Sequence, residues 1–225
     1  MVEAESIANA RPGAIITIGK YPHTAAGTDS TPIQWLVLEN SGSELLVLSR
    51  YILDCRRYHT EFAATTWRDC DLRRWLHDEF YDAVFSAAEK RVVNTAHNTD
   101  NGEGSPDTDD KVFLLGVAAV HRATQELGSD FRRTRGTEFA KVEKADGCHL
   151  YVMDKHVDAD YITEGGTRYG CSWWWLRDQG RLKEKGNDPS RAAFVGTRAS
   201  IRYYARVDLN RDGVRPAMRI DLSKG

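Results

Sequence analysis

The chain has only four cysteines in 225 residues, and none of them stands in a CxxC pair. Zinc knuckles and thioredoxin-like redox motifs are therefore not written into it. Cys55, Cys70, Cys148 and Cys171 read as buried free thiols. No run approaches the roughly 20 apolar residues of a membrane span. The opening Met1-Val-Glu-Ala-Glu-Ser lacks a basic region leading into an apolar one, as a secretion signal would have. A soluble protein, cytoplasmic or phage-associated, is the expectation. A large charge of one sign is also missing: the formal net charge is −2 and the pI near 6.4, which argues against nucleic-acid binding through bulk electrostatics. The glycine signatures GxGxxG, GxxxxGKS/T and GxSxG do not occur. His23, His59, His77, His97, His121, His149 and His156 show no HxH or HxxxH spacing, so neither a metal centre nor a bound cofactor is expected.

What remains is an ordinary globular composition, 41% hydrophobic and 28% charged, with no internal repeat. A flexible leader over residues 1–12 is expected, then one α+β domain over 13–225. Ile15 to Ile18 reads as a strand. Ile33 to Glu39 and Glu44 to Ser49 form a hairpin about Asn40-Ser-Gly-Ser43, where Gly42 is free to take positive φ. Leu72, Trp75, Leu76, Phe80, Val84 and Phe85 recur at three- and four-residue steps, one apolar stripe of a helix over 71–85. Ser86-Ala-Ala-Glu89 is a capping box opening a second helix. Asn98 to Asp110 reads as a solvated acidic loop, and Lys111-Val-Phe-Leu-Leu115 returns to the core. Residues 122–147 read as surface helix and loop.

The densest aromatic patch is Cys171-Ser-Trp-Trp-Trp-Leu-Arg177. Adjacent tryptophans in an extended segment face opposite ways, so one or two belong to the core, Trp174 first. A polar stretch follows, then short alternating runs broken at Gly196, and Gly213-Val-Arg-Pro-Ala-Met-Arg-Ile220 as a final strand. Between Arg177 and Arg215 there are ten basic residues against five acidic ones, a local +5. Asp208-Leu-Asn-Arg-Asp212-Gly213 opens like a calcium loop, but its twelfth position is Arg219, not a bidentate carboxylate.

Ile33-Gln-Trp-Leu-Val-Leu38, Leu46-Val-Leu-Ser-Arg-Tyr51, Trp67 with Leu72-Arg-Arg-Trp-Leu76, Asp110-Lys-Val-Phe-Leu-Leu115, Trp174-Trp-Leu-Arg177 and Gly213-Val-Arg-Pro-Ala217 occur in an order that resembles a family. It is a bacterial and phage family of domains with a C-type-lectin-like fold, related to the formylglycine-generating enzymes. It includes the variable proteins of diversity-generating retroelements, in which a rewritten segment lies between Trp-Trp-Leu-Arg-like and Gly-Val-Arg-Pro-like anchors. Asp178-Gln-Gly180 stands where Ser-Pro-Gly is usual.

The resemblance implies a C-type-lectin-like fold of small mixed sheets, two main helices and long loops. It also implies a non-enzymatic display protein whose loop-rich segment, Trp173 to Pro216, binds a protein or glycan partner. The candidate contacts are Asp178, Arg181, Phe194, Thr197, Arg198, Ser200, Arg202, Tyr203, Tyr204, Asp208, Asn210 and Arg211. Tyrosines offer rigid area with a polar tip, and arginines offer planar donors. Trp174, Arg177, Gly213 and Arg215 are the structural anchors, the two arginines holding loop carbonyls. Two rival readings remain. One is a copper-dependent oxidase like the enzyme relatives, with Cys148 and Cys171 as its thiol pair. The other is a structural module of a phage particle.

Overall fold

The computed structural model describes residues 7–153 and 157–224. β1 (Ile15–Tyr21), β2 (Thr31–Asn40) and β3 (Glu44–Ser49) form an antiparallel meander. The hairpin turn is built as its residues suggest: Gly42 takes φ 85° and its N–H donates to Asn40 Oδ1 at 2.8 Å. β1 runs further than its apolar residues indicate, through a register shift between Thr17 and Lys20.

After β4 (Asp54–Cys55), the chain coils through α1 (Asp71–Trp75), a π turn (Leu76–Phe80) and α2 (Tyr81–Val84). All six residues of the apolar stripe are buried. The Tyr81 N–H donates to Leu76 O, five residues back, and this wider turn carries the stripe from Leu76 to Phe80 and on to Val84. α3 (Ala87–Val92) begins at the capping box, where Glu89 N donates to Ser86 Oγ and Ser86 N to Glu89 Oε2.

The next strands are β5 (Val93–Asn94), β6 (Ala96–Asn98), β7 (Thr108–Asp110) and β8 (Val112–Phe113). They correct the reading of 98–110 as a solvated loop. β6 pairs with β7, and Asn101 and Asp110 are fully buried. The Asp110 carboxylate accepts from Arg73 Nε, Trp67 Nε1, Thr108 Oγ1 and Asn98 Nδ2 and faces His77 Nε2 at 2.9 Å. Burial alone would raise its pKa, but these hydrogen bonds and the Arg73 charge hold it well below the usual carboxylate range.

The remaining elements are α4 (Val117–Leu127), α5 (Glu138–Lys141), β9 (Tyr161–Glu164), β10 (Thr167–Gly170), β11 (Trp174–Leu182), β12 (Gly186–Val195), β13 (Ile201–Arg206), β14 (Gly213–Val214) and β15 (Ala217–Asp221). One sheet has the order β1-β2-β3-β15-β5, with β8 also paired to β15; the other is β13-β12-β11-β14-β4. β6/β7 and β9/β10 are two-stranded ribbons. The architecture is α+β, and one connected apolar cluster draws on both large sheets.

The segment from Trp173 to Pro216 is mostly strand rather than loop. Its strands pair through sequence with little apolar alternation, Gly180 with Asp188, Arg181 with Asn187 and Leu182 with Gly186. Backbone groups satisfied strand to strand need no apolar face to hold them. Trp174 and Trp175 point opposite ways yet are both fully buried, because this sheet is covered on both sides. Their ring N–H groups donate to Arg132 O and Arg56 O.

Residues 1–6 of the expected leader, like His156, lie outside the described residues. Over 7–12 the chain is docked: Ala10 is buried, and Asn40 Nδ2 donates to Ala8 O and Ala10 O. Among the described residues no helix is long and apolar enough to cross a membrane.

Candidate functional site

The segment between Trp174 and Gly213 is clamped at its two ends. Trp174 pairs with Gly213 in parallel, and Gly213 N donates to Trp173 O at 2.9 Å. A side chain at Gly213 would put its Cβ 2.3 Å from Ile52 Cγ2, so only glycine lets β14 approach. Arg177 donates to Leu114 O and Asn101 Oδ1 and pairs with Asp100. Arg215 donates to Ser49 O, Phe131 O and Arg50 O, with its guanidinium 4.9 Å from the Trp174 ring centre. Burial pushes Arg177 down to about 10 and Arg215 down to about 9, so both stay cationic at neutral pH. Their donors go largely to backbone carbonyls that have left the regular ladders.

Within this clamp, β12 and β13 carry a pocket of about 610 Å³. Its apolar lining includes Met153, Trp173, Phe194, Tyr204 and Leu209. Tyr151 stacks on Trp173 at 4.1 Å, Trp173 meets Phe194 at 6.1 Å, and Phe194 meets Tyr204 edge-on at 5.4 Å. This aromatic row ends on Tyr204, which is 54% exposed. Arg191, Arg198, Arg202 and Arg206 also line the pocket; no Asp or Glu does. Arg198 is held by Asp160 at 2.8 and 3.0 Å, and Arg206 by Asp208 at 2.9 and 2.7 Å. Hydrogen bonding and charge from those carboxylates raise both guanidinium pKa values further. Among the described residues, the hydrogen bond of Arg202 is to Ser200 Oγ, which leaves its other donors for a ligand.

The β12–β13 turn that closes one side is under strain. Ala199 takes φ 64°, while Gly196 N donates to Ser200 O and Ala199 N to Gly196 O. Buried Asp160 accepts from Thr197 Oγ1 as well as Arg198, and Arg132 Nη1 donates to Ala199 O. The turn is thus fastened from outside the two strands that it joins.

Of the expected contacts, Phe194, Thr197, Arg198, Ser200, Arg202 and Tyr204 line the pocket together. Arg181 and Tyr203 do not. They stack on each other at 4.0 Å and line a separate recess of about 250 Å³ with Asp178. Alternation along β13 explains the split, since neighbouring residues face opposite sides. Asp178 is taken up by α4, its Oδ2 accepting from Val117 N at 2.8 Å, and burial raises its pKa. Asp208 holds Arg206, and Asn210 Nδ2 donates to Gly147 O. Arg211 is exposed beyond the pocket, and its carbonyl accepts from Tyr151 N.

The sequence reading missed Met153, Leu209, Arg191 and Arg206 as lining residues, and did not single out Trp173 among the three tryptophans. It also missed Phe62, which is 48% exposed and lies under the Arg206 guanidinium at 4.1 Å. Nothing in local spacing pairs Phe62 with β13; for Arg206, the period-two spacing of Arg202, Tyr204 and Arg206 was the available signal.

Among the described residues no group of three or more His, Cys, Asp or Glu side chains is placed to hold a metal ion. All four cysteines are free and buried. The thiol beside Cys148 is that of Cys55, not Cys171.

A family model described as "Domain of unknown function (DUF6273)" matches residues 42–222. No curated protein and no solved structure matches the chain.

Proposed function

The chain belongs to the DUF6273 family, and from that premise we propose that it is a non-enzymatic ligand-binding domain with a C-type-lectin-like fold. Its pocket on the β12–β13 face takes an anionic group carried next to an apolar or aromatic one. The observation that carries this reading is the pocket itself, an aromatic row beside four arginines with no acidic side chain in the lining.

The chemistry favours a protein segment over a neutral glycan. Sugar hydroxyls call for planar acceptors as well as donors, and no Asp, Glu, Asn or Gln lines the pocket. A carboxylate instead meets the free donors of Arg202 in a fork-to-fork geometry, and the neighbouring apolar group covers Phe194 and Tyr204. The excess of base over acid between Arg177 and Arg215 adds a favourable local field. The clamp made by Trp174, Arg177, Gly213 and Arg215 supports the further reading that the segment 178–212 is a display surface like that of retroelement-diversified proteins. A near-copy of its coding stretch, differing mainly at adenines beside a reverse-transcriptase gene, is the test of that extension.

Binding is tested with an array of short peptides that pair an aromatic residue with Asp, Asn or Lys, read by tryptophan fluorescence. Trp173 sits in the lining and reports occupancy. Acidic-aromatic peptides are expected to quench it, and Arg202→Glu combined with Tyr204→Ala to weaken them by at least about tenfold, roughly 1.4 kcal/mol. Arg181→Ala with Tyr203→Ala, on the other side of the sheet, should leave the affinity unchanged. Equal binding of acidic and lysine peptides, or indifference to the Arg202/Tyr204 variant, would reject the proposal.

A further inference from the structure

Two of the four thiols meet where β4 touches the loop after β13. Cys55 Sγ donates to Asp212 O at 3.3 Å and lies 3.6 Å from Asn210 O. His149 N donates to that same Asn210 O at 3.0 Å, and Asn210 Nδ2 donates to Gly147 O at 2.7 Å. The segments bearing Cys55 and Cys148 therefore converge on one residue, which gathers the two thiols into one buried cluster.

Their surroundings make them unequal. Cys148 Sγ receives Arg57 Nη1 at 3.4 Å and faces Asp146 Oδ2 at 3.3 Å. Interaction with Cys55 lowers the Cys148 pKa, with Arg57 helping, while burial and the Asp146 carboxylate oppose the shift. Interaction with Cys148, together with burial, pushes the Cys55 thiol up. Arg57 and Asp146, the groups touching Cys148 Sγ, also line a surface cleft of about 120 Å³ together with Arg56, Thr60 and Trp75. Cys148 itself is buried and does not line the cleft, so a small molecule there stands one side chain away from the sulfur, behind Arg57 and Asp146. The other two cysteines lack this setting. Burial pushes Cys70 up to about 12 and Cys171 up to about 11.

We propose that Cys148 and Cys55 form a hydroperoxide-reactive dithiol, Cys148 attacking and Cys55 resolving, which closes into a disulfide between β4 and the 142–150 segment. In the first step the Cys148 thiolate sulfur attacks the distal peroxide oxygen. The O–O bond breaks, the peroxide is reduced by two electrons, and the leaving oxygen takes a proton to depart as water or alcohol. The sulfur becomes a sulfenic acid. In the second step the Cys55 sulfur attacks the Cys148 sulfur; the S–S bond forms, the S–O bond breaks, and hydroxide leaves with the Cys55 proton as water. Two thiols and one hydroperoxide become one disulfide, one alcohol or water, and a further water. The new bond pins the backbone at Asn210 to Asp212, so the outcome is a redox lock on the exit of the clamped segment.

The test treats the reduced full-length protein with substoichiometric hydrogen peroxide and maps its peptides without reduction by mass spectrometry. A Cys55–Cys148 linked peptide, lighter by two hydrogens, is expected before any oxidation of Cys70 or Cys171. Cys55→Ser should leave a sulfenic acid on Cys148 that dimedone traps, and Cys148→Ser should abolish both products. Arg57→Gln should slow the reaction on the order of threefold by weakening the thiolate. The unsubstituted protein decides the question even if a cysteine variant misfolds. First oxidation at Cys70 or Cys171, or peroxide consumed without a Cys55–Cys148 link, overturns the proposal.

Discussion

Arg215 and Arg202 belong to the same stretch of chain but work in opposite settings. Arg215 is buried and donates to the carbonyls of Ser49, Arg50 and Phe131. Arg202 stands exposed on β13, with a single hydroxyl as its neighbour. The same contrast separates Trp174, sealed in the core, from Trp173, which lines the pocket. Residue type does not divide the frame from the face; what divides them is whether the protein itself supplies enough acceptors. Where backbone carbonyls have left the sheet ladders, a guanidinium is consumed by them. Where the neighbouring backbone is already paired, as around Arg202 on β13, it is left for another molecule, whereas Arg191 on β12 is taken up by the Tyr204 carbonyl beside the register shift.

The sharpest way to break this comparison is to remove the buried member. Arg215→Ala should cost about 3–5 kcal/mol in urea unfolding, because the Ser49 and Phe131 carbonyls lose their donor in a dry site and Arg50 O keeps only Thr134 Oγ1. A cost below about 1 kcal/mol would mean that water replaces the guanidinium and that the frame is not held there.

Next in size is Asp212, fully buried with neither carboxylate oxygen hydrogen-bonded, and pushed up to about 8 by burial. Its folded-state pKa lies above its unfolded one, so its contribution to stability is whole below about pH 4 and is lost as pH rises toward 8. Asp212→Asn should therefore gain about 3–4 kcal/mol relative to the wild type between pH 5 and pH 8.5. Parallel melting curves of the two proteins across that range would remove Asp212 from the argument.

A smaller effect is expected at the turn. Ala199→Gly relieves the positive φ and should stabilise by about 0.5–1 kcal/mol, net of the added freedom of the unfolded chain. Smallest of all, Arg202→Glu with Tyr204→Ala should move stability by no more than about 0.5 kcal/mol, as expected of exposed side chains whose contact with the core is the edge of Phe194. If that pair destabilises as much as Arg215→Ala, face and frame are one unit, and the loss of peptide binding would have to be read as unfolding.

Local chemistry was legible wherever neighbours in sequence are neighbours in space. The Asn40 to Ser43 turn, the Ser86–Glu89 box and the Leu72 to Phe85 stripe are all of that kind. The arginines of the frame could be singled out, though their acceptors could not, since Ser49 and Phe131 are far away in the chain. Polar strands were illegible because Asp178 to Leu182 carries no apolar alternation; its pairing partner, not its composition, makes it a strand. The site was half readable for the same reason. Arg202 and Tyr204 could be placed on a common face by period two, whereas grouping Tyr203 with them ignored that alternation. Phe62, Met153 and Leu209 reach the pocket region from three separate loops, which no spacing announces. Asp160, which fastens the strained turn, belongs to a fourth.

The place of β15 has a consequence for how the protein is made. Although it follows every other strand in chain order, it pairs with β3, β5 and β8 and so occupies the middle of its sheet. During synthesis those partners emerge with their inner edges open and must wait for residues 217–221 before the sheet can close. Such long-range closure slows folding and leaves unpaired edges available to other nascent chains. Yield in a cell should therefore depend on how well this domain is shielded on the ribosome, even for variants whose finished fold is fully stable.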